Sequence, residues 1–63
     1  MDVVCRDAET LGVKWRNHYV KKEDAEKYFE AILDMSLKMK YDVEPHGSKS
    51  MLINEHDLIT LEE

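Results

Sequence analysis

Cys5 and the histidines His18, His46 and His56 are the side chains of this chain most able to hold a transition metal or move a proton near neutral pH. A zinc-type site needs three or four such ligands converging at about 2.0 to 2.3 Å from the ion. No two of these residues are close in sequence, and no CxxC or HxxxH pair seeds a site. Surface histidines are the simpler account. His18 as a base with Ser48 or Ser50 as a nucleophile is a second option, but such arrangements are recognised by geometry, and a short domain offers them by chance. Gly47, Ser48, Lys49 and Ser50 are similar to the tail of a phosphate-binding loop. The first glycine of GxxxxGK is missing and the run leads towards a strand, so it reads as a turn. No catalytic, cofactor-binding or metal-ligating residue is assigned, and the chain is expected to be non-enzymatic and to need no cofactor.

Two sets of residues carry binding chemistry instead. Lys14, Arg16, Lys21 and Lys22 fall close together with Trp15, His18 and Tyr19, a basic and aromatic segment in an otherwise acidic chain. Cations there could follow phosphates while an exposed ring stacks on bases, as in single-strand binders. In an extended strand, however, Val13, Trp15 and Tyr19 share one side and Lys14, Arg16 and His18 the other. If the aromatic side is covered, Trp15 and Tyr19 are core residues and only solvated cations remain outside. The net charge of −5, from 14 acidic and 9 basic side chains, argues against a general affinity for nucleic acid.

The elements that position these residues follow from periodicity. Between Lys22 and Lys40, Ala25, Tyr28, Phe29, Ile32, Ser36 and Met39 recur at spacings of three and four, which predicts an amphipathic helix of about five turns. Lys21 and Lys22 stand where a capping Ser, Thr or Asp is usual. Glu23 and Asp24 in the first turn, and Lys38 and Lys40 in the last, suit the helix dipole. Glu23 with Lys27 and Asp34 with Lys38 have the favourable spacing for ion pairs. On either side the pattern is that of strands. Val3 to Cys5 pairs with Val13 to Val20 as a hairpin; Tyr41 to Pro45, Met51 to Ile53, and Leu58 to Leu61 follow the helix. Asn54 could instead cap a short C-terminal helix, but β-branched Ile59 and Thr60 favour the strand.

The expected fold is therefore a single α+β domain over residues 1–63, of order ββαββ with a possible fifth strand. A small antiparallel sheet carries the helix across one face and leaves the other open. A chain of 63 residues buries only roughly 60% of its unfolded surface, and such a core benefits from outside support. One cysteine excludes an internal disulfide and suits a reducing cytosol. There is no apolar run that would span a membrane. On the helical wheel Leu33 and Leu37 widen the apolar arc beside Glu23, Glu26, Glu30 and Asp34. These six residues form the expected partner-binding surface for another protein, with a homodimer anticipated. The alternative is a nucleic-acid-binding module using Lys14, Arg16, His18, Lys21 and Lys22.

Overall fold

Short apolar runs at both ends of the chain cannot satisfy their backbone groups alone, and in the structure they pair with each other. A computed structural model describes all 63 residues, Met1 to Glu63. Its elements are β1 (Asp2–Asp7), β2 (Val13–His18), α1 (Lys22–Lys38), β3 (Val43–Pro45), β4 (Ser50–Ile53) and β5 (Asp57–Glu62). All strands join one antiparallel sheet of order β2-β1-β5-β4-β3. The fold is α+β, as the pattern predicts, and the fifth strand is real. It occupies the middle of the sheet between β1 and β4.

The helix lies on one face of this sheet. Ala25 and Phe29 from α1 meet Val3 and Cys5 from β1, Met51 and Ile53 from β4, and Ile59 from β5 in one buried cluster. Tyr28, Ile32 and Leu33 pack around it from the helix, and Tyr19, Val43 and Leu61 from the chain below. The rule that alternate residues of a strand face opposite ways sorts these side chains. Val3 opposes Leu61, and Cys5 opposes Ile59, which in turn opposes Met51.

Two details of α1 differ from the sequence pattern. The helix ends at Lys38, so Met39, expected on the buried stripe, is 57% exposed. The termination is a Schellman arrangement: Tyr41 N–H donates to Ser36 O at 2.9 Å and Lys40 N–H to Leu37 O at 3.0 Å. Lys40 holds the left-handed conformation this needs, at φ 60. The expected pairs of Glu23 with Lys27 and Asp34 with Lys38 are also not formed, and no residue of α1 takes part in an ion pair. At the other end Lys21 occupies the N-cap position and makes no side-chain capping bond, as its type implies.

The turn between β4 and β5 explains why residues 54–63 are not a helix. Asn54 and Glu55 both have positive φ, 52 and 64, the pattern of a type I′ hairpin turn, and His56 N–H donates to Ile53 O at 3.2 Å. Asn54 also ties the start of β3 to this turn. Its side-chain oxygen accepts from Asp42 N–H at 3.0 Å, and its own N–H donates to Asp42 O at 2.8 Å.

Lys40 and Glu55 each hold a conformation that costs an L-residue with a Cβ roughly 1 to 2 kcal/mol, against a smaller entropic cost for glycine. Lys40→Gly and Glu55→Gly are therefore each expected to raise stability by about 0.5 kcal/mol. Urea unfolding checks this, and a lowered midpoint in both variants would contradict it.

Candidate functional site

The basic aromatic segment is β2, an edge strand bonded only to β1. Its register with β1 shifts between Cys5 and Arg6, so Cys5 opposes Trp15 while Arg6 opposes Val13. Such a bulge changes which way the following side chains point. Strict alternation across Val13 to Tyr19 therefore fails at its start. Val13 shares the open face with Arg6, Arg16 and His18, whereas Lys14 turns to the helix side and reaches Asp57 at 2.6 Å. Trp15 and Tyr19 face the helix as expected. Tyr28 of α1 lies between them, edge-on to Trp15 with centroids 6.3 Å apart and tilted against Tyr19 at 5.7 Å. Tyr19 packs against the core while Trp15 stays 37% exposed and outside it, and desolvation raises the Tyr19 hydroxyl pKa.

The cations of β2 are engaged too. Arg16 donates to Asp2 at 2.6 Å, and His18 Nδ1 lies 2.6 Å from the other oxygen of the same carboxylate. The hydrogen bonds from His18 and then Arg16 lower the Asp2 pKa. Asp57 raises that of Lys14. Lys21 and Lys22 sit beyond the strand, exposed and unpaired, at the start of α1. The nucleic-acid set is thus split: Arg16 and His18 on the open face, Lys14 on the helix side, Lys21 and Lys22 at the helix entrance.

The open face carries a network that connects the two ends of the chain. Arg6 grips Glu62 through two parallel bonds, both 2.9 Å, from Nε and Nη2. Arg16 approaches the same carboxylate at 3.8 Å, and Thr60 Oγ1 donates to it. Beneath this layer lies Val4, opposite Arg16 and Thr60 and 0% exposed although it faces away from the helix. Arg6, Thr60 and Arg16 together hold the Glu62 carboxyl down at about 2, well below its ordinary 4.5. Half of this network was hidden in the sequence, because Arg6 and Glu62 are 56 residues apart. The available signal was the shared alternation of Asp2, Val4 and Arg6 with Leu58, Thr60 and Glu62.

The expected partner-binding residues lie on α1, away from this network. Glu23, Glu26, Glu30 and Asp34 are all exposed on its outer flank. Leu33 is half-buried against the core, whereas Leu37 is 55% exposed. Glu26, Glu30 and Leu33 come together at one place. They line a groove of about 270 Å³ between α1 and the turn from β3 to β4, with Phe29, Met51 and Leu61 at its base and Pro45, Gly47 and Ser48 on the far wall. Glu23, Asp34 and Leu37 lie outside it. The turn wall could not be found by periodicity, since it meets the helix only in three dimensions.

The remaining chemical residues are dispersed. Cys5 is buried in the core, and desolvation raises its thiol pKa. His46 and His56 stand in separate turns, and no three metal-binding side chains gather anywhere. Ser50 Oγ donates to His46 O at 2.7 Å, closing the turn at Gly47, whose φ is 78. A shallow depression of about 420 Å³ lies beside Asp7, Glu9, Glu55 and His56. Asp7 is already committed there, accepting from the N–H groups of Glu9 and Thr10 at 2.9 Å each. Comparison with protein-family models, curated proteins and solved structures finds no match to this chain.

Glu62 has a lower pKa folded than unfolded, so below its ordinary 4.5 the unfolded chain binds the extra proton and folding weakens. Stability is expected to be steady near neutral pH and to fall as pH drops from about 4.5 towards 2, with Asp2 adding in the same direction. Glu62→Gln should cost about 1 kcal/mol at neutral pH and flatten that acid limb. Urea midpoints measured against pH check both, and an unchanged acid limb in the variant would contradict the assignment.

Proposed function

We propose that this protein is a non-enzymatic, cytosolic binding protein that docks the outer flank of α1 onto a basic surface of another protein. One observation carries this reading. Asp2, Asp57 and Glu62 on the sheet are each satisfied by a cation of the same chain, whereas Glu23, Glu26, Glu30 and Asp34 on the helix have no such partner. Lys27 and Lys38 are on the same helix and pair with none of them. An uncompensated acidic flank on a rigid rod steers association with a positively charged surface and sets its salt dependence. The depression of about 420 Å³ beside Asp7 and His56 is shallow, and the Asp7 carboxylate there accepts from two backbone N–H groups; the buried, unbridged Cys5 suits a reducing compartment. No helix is long and apolar enough to cross a membrane.

Homodimerisation is the second reading. Met35, Leu37, Met39 and Tyr41 are exposed within one short stretch around the C-terminal end of α1, where a small protein gains by covering apolar surface. The acidic flank itself does not suit a two-fold contact, which would set its four carboxylates against their own copies. The commitment of Lys14, Arg16 and His18 to acids of the sheet weighs against the nucleic-acid alternative.

The partner is to be isolated from native cytosol with the full chain, then its association measured with a variant carrying Glu23→Lys, Glu26→Lys, Glu30→Lys and Asp34→Lys. Association is expected to slow about tenfold or more at low salt while stability falls by only about 1 kcal/mol, the cost of placing a cation at position 23 in the first turn of the helix. Equal rates for both proteins would exclude the helix flank. In a salt titration with single-stranded oligonucleotides no binding is expected even at low salt, and tight, salt-sensitive binding would favour the nucleic-acid alternative.

A further inference from the structure

The groove between α1 and the turn from β3 to β4 has an apolar base, made by Phe29, Leu33 and Met51, and a rim that is acidic on its helix side, made by Glu26 and Glu30. None of its lining residues is a cation. Its volume of about 270 Å³ falls below the usual range for small-molecule pockets, roughly 300 to 1,000 Å³. That is room for one or two side chains. The far wall, at Gly47 and Ser48, brings no charge and no bulk, and a Cβ built on Gly47 would meet nothing within 4 Å.

We infer that this groove receives an apolar side chain from a partner segment whose neighbouring residues are Lys or Arg. The inference rests on the protein-binding reading above and adds the chemistry of what is bound. Charge decides the occupant. A second copy placed across the groove about a two-fold axis would oppose Glu26 and Glu30 to themselves, and the acidic end at Glu62 and Glu63 is equally unsuited. A segment with an apolar residue between cations places its hydrophobic group on Phe29 and Leu33 and its charges at the carboxylates. Apolar burial then supplies affinity, while the rim selects sign and slows escape.

The test uses the isotope-labelled full chain, titrated at low salt with two lysine-rich pentapeptides that differ only in a central leucine or glycine, and followed by NMR amide shifts. The leucine peptide is expected to bind about tenfold more tightly, the gain from burying one aliphatic side chain, with shifts centred on Leu33, Gly47 and Ser48. Ser48→Trp, at an exposed wall position, is expected to fill the groove and abolish that tenfold preference, leaving the glycine peptide and the rest of the spectrum unaffected. Equal affinity for the two peptides would overturn the groove while leaving the acidic flank in place, and absence of binding by either would overturn both. Shifts centred on Trp15 or on the open sheet face would also overturn it. So would a chain already dimeric before peptide is added, with the Leu33 amide moving on dilution, because a second copy would then be the occupant.

Discussion

Everything in this molecule is anchored on the pairing of β1 with β5, which joins residue 2 to residue 62 and residue 7 to residue 57. These two strands are the middle of the sheet, and β2 and β4 add to their outer edges. The contact is expensive to make, since closing a loop of that length costs conformational entropy before any burial offsets it. Two layers of interaction repay it. On the helix side Val3, Cys5, Ile59 and Leu61 build the base on which Ala25 and Phe29 rest. On the open side Arg6 clasps Glu62 and seals Val4. Neither layer exists without the pairing, and α1 has no surface to cover without the first layer.

This arrangement divides the chain's charge between two kinds of work. Asp2, Asp57 and Glu62 of the sheet are spent within the fold, each held by a guanidinium, an ammonium or an imidazole at hydrogen-bond distance. Such exposed pairs contribute modestly one by one. They gain from being a network over a fully buried valine, where the long arginine stems also exclude water. They guard the edge as well: β2 would otherwise offer a bare strand to other chains, and its bulge, Lys14 and Arg16 discourage that. The acids of α1 have no such structural employment. None of Glu23, Glu26, Glu30 and Asp34 has a cation beside it, and the proposed binding role rests on that contrast with the sheet.

Much of this was legible in the residue order, and the parts that were not have a common cause. The helix was legible because Ala25, Phe29 and Ser36 repeat at its own period and all three are buried. Its last turn misled, because Met39 keeps the period while Lys40, with neither glycine nor proline to mark the end, takes the left-handed conformation that stops the helix. The final strand was legible from Ile59 and Thr60. Its central place was not, since strand neighbours are chosen by long-range pairing and not by local pattern. The bulge that sends Lys14 to the helix side, the clasp of Arg6 on Glu62 and the turn wall of the groove escaped for the same reason. Each joins residues distant in sequence. Glu26, Glu30 and Leu33 were found together because a helical wheel is a three-dimensional object that sequence spacing alone can draw.

The central position of β5 also shapes how the chain comes into being. β5 lies between β1 and β4, so without residues 57–62 the apolar faces of Val3, Cys5 and Met51 have no shared platform. Non-local pairing of this kind is slow to form and leaves strand edges bare meanwhile. Two hairpins, β1 with β2 and β3 with β4, are local and need no β5, whereas the sheet that unites them waits for residues 57–62. A chain lacking residues 57–62 would keep both hairpins and the helix but lose the strand that joins them into one sheet.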